Sequence, residues 1–117
     1  MSIGVSIETN GDYMFVSLMG ELDQSTAPQV KIRLMTTLAA HEVRHIVFNL
    51  KNLSFMDSSG IGIILGRYNQ VKSIGGKVFV LGMNPTVNKV FHMAGLSQII
   101  TIIDDEQQIT NMFEEAI

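Results

Sequence analysis

Cysteine and tryptophan are both absent from this chain of 117 residues. Without thiols there is neither a disulfide framework nor a thiol nucleophile. Charge is sparse, at 16% of residues with a net value of −3, and no basic run marks a nucleic-acid surface. No apolar run approaches the roughly 20 residues of a membrane span. No charged-then-apolar leader opens the chain, so the expectation is a soluble, cytoplasmic protein. Linkers, repeats and low-complexity segments are also missing. What is present is a 46% hydrophobic composition in a length suited to one domain, residues 1–117, with a core of its own. Acidic residues gather late, at Asp104-Asp105-Glu106 and Glu114-Glu115, and read as a solvated helix face.

Residues 2–8 and 13–19 alternate apolar and polar side chains around Asn10-Gly11, a strong hairpin signal. Gly20-Glu21-Leu22-Asp23 then leaves the sheet. Ala27, Val30, Leu34 and Leu38 mark a helix, with Asp23 or Ser25 near its start and Pro28 in its first turn, where a missing N–H is harmless. Residues 46–50 form an apolar strand, and Asn52 to Lys72 a loop and helix closed by Gly75-Gly76. Val78 to Leu81 is a further buried strand. Asn84-Pro85 opens a third helix with Val87, Val90, Phe91 and Ala94 inward, ended by Gly95. Ile99 to Ile103 is a last strand, and Ile109, Met112, Phe113 and Ala116 give a C-terminal helix. The order ββαβαβαβα predicts an α/β fold: a mixed, mostly parallel sheet with an N-terminal hairpin and about four helices. In such sheets function collects where strands turn into helices at their carboxyl ends. Asp23 and Asp57-Ser58-Ser59 both fall there.

The helix after Asp57 is the unusual element. Its apolar residues Ile61, Ile64, Leu65, Tyr68 and Val71 fall on one face. Opposite lies a stripe of Ser58, Ser59, Gly62, Gly66 and Asn69, flanked by Ile63 and Arg67. A glycine inside a helix costs about 0.5–1 kcal/mol relative to alanine. Two on an outward face therefore suggest that a partner's backbone comes close, with Ile63 as an exposed apolar contact.

Three catalytic motifs fail on context. His41-Glu42-Val43-Arg44-His45 matches the zinc-protease pattern H-E-x-x-H, but it sits at a frayed helix end with His45 against a strand. It reads as a polar connection, with metal-dependent hydrolysis through His41 and His45 as the alternative. Met56-Asp57-Ser58-Ser59-Gly60 lacks the first glycine of a G-x-S-x-G elbow and has no placed base. Gly60, Gly62 and Gly66 are spaced one residue too long for a dinucleotide fingerprint. No catalytic residue, metal or cofactor is expected.

A hydroxyl at a helix N-terminus beside a smooth face fits a phosphorylation switch. Asp57 can cap the helix, so the serines are free for another role. A phosphoserine adds about −1.5 to −2 charges, which a helix N-terminus tolerates. The fold would survive modification while a docking surface at Gly62 and Gly66, next to Asp57 and near Asp23, would not.

Gly20-Glu21-Leu22-Asp23, Asn52-Leu53, Met56-Asp57-Ser58-Ser59-Gly60-Ile61-Gly62 and Leu65-Gly66-Arg67-Tyr68 closely resemble the STAS-domain anti-sigma factor antagonists of the sporulation type. The likeness runs over nearly the whole chain. It implies a protein that is not an enzyme. Its unmodified form would bind an anti-sigma factor, an ATP-dependent serine kinase, and so release a sporulation sigma factor. The kinase would phosphorylate the first serine of the pair, Ser58, and a metal-dependent serine phosphatase would restore it. Asp23 would face the kinase and meet a basic residue there. Asp57, Ser59, Gly62, Ile63, Gly66 and Arg67 are the other expected contacts. A stress-response antagonist is the nearest rival within the same family.

Overall fold

The computed structural model describes residues 2–115, with side chains through residue 111. Five strands lie side by side in chain order: β1 (Ile3–Asn10), β2 (Tyr13–Leu22), β3 (His45–Met56), β4 (Val78–Leu81) and β5 (Thr101–Ile102). β1 pairs antiparallel with β2, and every later pairing is parallel. Between the parallel strands run α1 (Ala27–Ala40), α2 (Ser58–Lys72) and α3 (Pro85–Met93), and α4 (Gln107–Glu115) closes the described chain.

Alternation along the strands sorts the core into two layers. Met14, Val16, Ile46, Phe48, Val78 and Val80 point to the face covered by α1, α2 and α3. Val47, Phe79 and Leu81 point the other way, towards Ile103 and Ile109. Because both faces are covered there, β4 and the Ile46–Phe48 part of β3 are continuous apolar runs.

Several boundaries depart from the sequence reading. The hairpin loop is Gly11-Asp12, with Asn10 paired to Tyr13 and Gly11 at φ +58°. Gly20-Glu21-Leu22 does not leave the sheet. It continues β2 through a register shift beside Gly20, whose φ is +110° and whose missing Cβ would lie 2.6 Å from the Ser2 carbonyl. β3 spans twelve residues rather than five, because Leu53 and Met56 stay buried against the extended β2. The last strand is shorter than Ile99 to Ile103. A 3₁₀ turn at Leu96–Gln98 intervenes, and Ile100 packs into the helix-covered layer. In α3 Val87 and Phe91 are buried, Val90 is half-buried, and Ala94 is exposed. Ile109 is buried as expected, while the side chains of Met112 and Phe113, and Ala116 itself, lie outside the described residues.

α2 presents to the sheet a different face from the one expected from the sequence. Its buried residues are Gly60, Ile63, Ile64, Arg67 and Val71, whereas Leu65 is 37% exposed. The inward face is therefore turned about 80° from the one that counting apolar residues selects, at about 100° per residue. Two non-hydrophobic residues on the buried stripe, Gly60 and Arg67, cause the misreading. Gly60 is there for space: a Cβ would sit 2.4 Å from Met56 Cγ and 3.0 Å from Leu22 Cδ2. The helix start can lie on the ends of β2 and β3 only without that atom.

Candidate functional site

The carboxyl ends of β2 and β3 are in register, Leu22 opposite Met56, so the turns that follow lie side by side. The Asp57 N–H donates to the Leu22 carbonyl at 3.2 Å and ties them together.

Asp57 is the N-cap of α2. Its Oδ1 accepts from the N–H groups of Ser59 (2.8 Å) and Gly60 (3.4 Å), and its carbonyl accepts from those of Gly60 and Ile61. One side chain thus satisfies two of the orphan donors of the first turn, and the Leu22 carbonyl takes a third. Neither serine is needed for capping. Ser58 is exposed and its Oγ has no hydrogen-bond partner among the described residues, whereas Ser59 is half-buried.

In the neighbouring turn, Asp23 Oδ1 accepts from the Ser25 hydroxyl at 2.7 Å and from the N–H groups of Ser25 and Thr26 at 2.9 and 3.1 Å. These bonds, the Ser25 hydroxyl foremost, hold the Asp23 carboxyl below its ordinary range against a smaller opposing effect of desolvation. It is an anion at neutral pH, and its Oδ2 makes no hydrogen bond among the described residues. Thr26, 2% exposed, supports the turn: its Oγ1 donates to the Glu21 carbonyl at 2.8 Å and accepts from the Asp23 N–H at 2.9 Å. A third turn is fixed by Asn84, which caps α3 through the Val87 N–H (2.8 Å) and donates through Nδ2 to the carbonyls of Leu53 and Ser54. No local sequence pattern marks the supporting roles of Thr26 and Asn84. Asn before Pro signalled a helix start but not the tether to β3, which joins residues 31 apart in sequence.

The outward face of α2 carries Ser58, Gly62, Leu65 and Asn69, with Gly66 half-exposed beside them. Cβ atoms built at Gly62 and Gly66 meet nothing within 4 Å among the described residues outside the helix's own backbone. Close packing within this chain is therefore not what requires glycine there. Leu65, assigned inward by its apolar character, belongs to this surface. Ile63 does not, being 5% exposed and part of the core. Arg67 is likewise 5% exposed, and its Nε and Nη1 have no hydrogen-bond partner among the described residues. Burial lowers its pKa from the usual arginine value. Neither Ile63 nor Arg67 is available as a surface contact, and both leave the set of partner-facing residues.

His41 and His45 are not brought onto one helix face. α1 ends at Ala40, His41 is extended at φ −132°, and His45 opens β3. His45 Nδ1 accepts the Lys77 N–H at 3.0 Å and its ring lies 4.8 Å from that of Tyr13. The ring is used structurally. Among the described residues no group of three or more His, Cys, Asp or Glu could hold a metal ion. No described helix is long and apolar enough to cross a membrane.

A parallel sheet opened by a hairpin, with an aspartate-capped, serine-bearing helix start at the end of its central strand, defines a class. The STAS domain profile matches residues 4–109, and the chain belongs to that family. Among its relatives, the chain is 40% identical over 106 residues to the anti-sigma F factor antagonist of Paenibacillus polymyxa, covering 91% of each protein. It is also similar to the solved structure of the anti-sigma factor antagonist SpoIIAA in its unphosphorylated form. That match has a TM-score of 0.83 at 31% identity and covers 95% of this chain and 97% of the other. A structure of the Bacillus cell fate determinant SpoIIAA in the phosphorylated form matches with a TM-score of 0.74, also at 31% identity, over 93% and 99% of the two chains.

Proposed function

We propose that this chain is a cytoplasmic anti-sigma factor antagonist switched by phosphorylation of Ser58. The observation that carries the reading is the exposed, unengaged Ser58 Oγ on the outward face of α2, with Asp57 already capping the helix. Similarity to anti-sigma F factor antagonists, one structure of which is phosphorylated, supports it.

In its unmodified form the chain binds an anti-sigma factor that is an ATP-dependent serine kinase, and a sporulation sigma factor is released. The partner's backbone approaches over Gly62 and Gly66, with Leu65 and Asn69 beside them. Asp23, ionised at neutral pH, meets a basic residue of the kinase through its free oxygen. Phosphoryl transfer joins Ser58 Oγ to the γ-phosphorus of ATP and breaks the bond to ADP, the hydroxyl proton passing to a base on the kinase. The chain is the substrate in this reaction, not the enzyme. Hydrolysis by a metal-dependent serine phosphatase returns the hydroxyl.

The effect of the phosphate follows from its surroundings. It adds about −1.5 to −2 charges on the residue next to the Asp57 carboxylate and near that of Asp23. Asp57 already accepts from the N–H groups of Ser59, Gly60 and Ile61, so the new group stays at the surface. It changes charge and shape there, not the fold. Incubation with the candidate kinase and ATP, followed by peptide mapping, tests the site. Ser58→Ala is expected to bind the kinase without being phosphorylated, and Ser58→Asp to bind at least tenfold more weakly while melting within a few degrees of wild type. Phosphate mapped to another residue, or equal affinity for the modified and unmodified forms, would overturn the proposal.

A further inference from the structure

At the far side of the sheet β1 is an eight-residue edge strand with no neighbour beyond it among the described residues. The hairpin register assigns its hydrogen-bonding groups. Asn10 and Tyr13 close a two-residue loop, so the even residues Gly4, Ser6 and Glu8 bond to β2, and Ile3, Val5, Ile7 and Thr9 turn their N–H and C=O groups outward. Natural edges of this length are protected by lysine, proline, bulges or a covering element. β1 has neither lysine nor proline. Glu8 is its one charge, and a single side chain clasps its outward backbone: Arg33 on α1 donates from Nη1 to the Val5 carbonyl at 2.8 Å. Among the described residues no other side chain bonds to the outward groups.

We propose that the outer edge of β1 is an association surface for a second copy of this chain, held closed by Arg33. Three observations select that occupant. First, the strand is self-complementary. In antiparallel pairing about Val5, Ile3 meets Ile7 of the other copy, Gly4 meets Ser6, and Glu8 meets Ser2. The lone charge on the strand is never opposed by its own kind. Second, Ile3 and Val5 border a groove of about 390 Å³ with Gln29, Ile32 and Arg33. Ile32 is 66% exposed, and a two-fold partner would cover it. Third, the area suits a weak pair of identical chains. The paired stretch Ser2 to Glu8 is roughly 24 Å long. With sheet and helix layers together about 20 Å deep, two such edges bury about 950 Å², the range of weak, transient interfaces.

The test is the self-association of the whole chain by sedimentation equilibrium, for wild type, Arg33→Ala, and Arg33→Ala combined with Val5→Pro. Proline at position 5 removes an outward N–H and no bond to β2. Wild type is expected to be monomeric at micromolar concentration, Arg33→Ala to dimerise at least tenfold more tightly, and the double variant to revert. Amide exchange supplies a second reading that does not depend on the proline variant. The Ile3, Val5 and Ile7 N–H groups become protected in the Arg33→Ala dimer if β1 pairs. A monomeric Arg33→Ala protein, or a dimer in which those amides still exchange fast, would refute the proposal.

Discussion

Alanine in place of each glycine of α2 distinguishes a helix shaped by its own core from one shaped for a partner. At Gly62 and Gly66 a Cβ enters open space. Each substitution is expected to stabilise the isolated chain by about 0.5–1 kcal/mol, the cost of glycine in a helix interior. The two sites are one helical turn apart and close enough to couple, so together they are expected to give about 1–2 kcal/mol only if the new methyl groups do not interfere with each other. In a domain of this size that raises Tm by roughly 3–8 °C. Gly60→Ala should do the opposite. Its Cβ would lie 2.4 Å from Met56 and 3.0 Å from Leu22, and overpacking of that kind costs about 1–3 kcal/mol. Thermal and urea unfolding of the four proteins, paired with titration against the anti-sigma factor, reads both quantities. Gly62→Ala and Gly66→Ala should raise stability and lower affinity together. If they bind like wild type, or if they destabilise the free chain, the argument that these glycines serve a partner fails.

Arg67→Met is expected to leave partner affinity unchanged and to keep or raise stability. It removes a buried cation whose Nε and Nη1 lack partners, and an apolar side chain of similar size is often neutral or better at such a site. A loss of affinity in a well-folded Arg67→Met protein would return that residue to the interface. His45 should make stability pH-dependent. Desolvation and the nearby Arg44 and Lys77 hold its pKa below the ordinary 6.5, Asp12 opposing them in part. Its neutral Nδ1 accepts the Lys77 N–H. Below about pH 6.5 the unfolded chain takes up a proton that the folded chain resists, so stability falls with pH until the folded ring titrates too. Urea midpoints measured from pH 8 to 5 should drop, and His45→Asn should flatten the part of the slope due to this ring. An unchanged slope in the variant would show that the Lys77 contact does not govern it.

Short-range patterns in the chain were enough to locate most elements. Val78–Leu81 was legible as a strand because both its neighbours and both its faces demand apolar side chains. The starts of α2 and α3 were legible because a cap is a contact between residues two or three apart: Asp57 with Ser59 and Gly60, Asn84 with Val87. Ser58 at the end of the central strand followed from the same local signals.

The chain by itself therefore determined the order of elements, the aspartate cap and the position of the hydroxyl, all of which depend on neighbours within about one helical turn. Only the tertiary structure decided which side of α2 faces the sheet. Apolar counting placed Leu65 inside and Ile63 outside, and the packing reverses both, since the close approach of α2 to Leu22 and Met56 selects Gly60 for its small size. The burial of Arg67 and the clasp of Arg33 on Val5 are also tertiary. Each depends on residues brought together from distant parts of the chain, where no periodicity in the sequence carries the information.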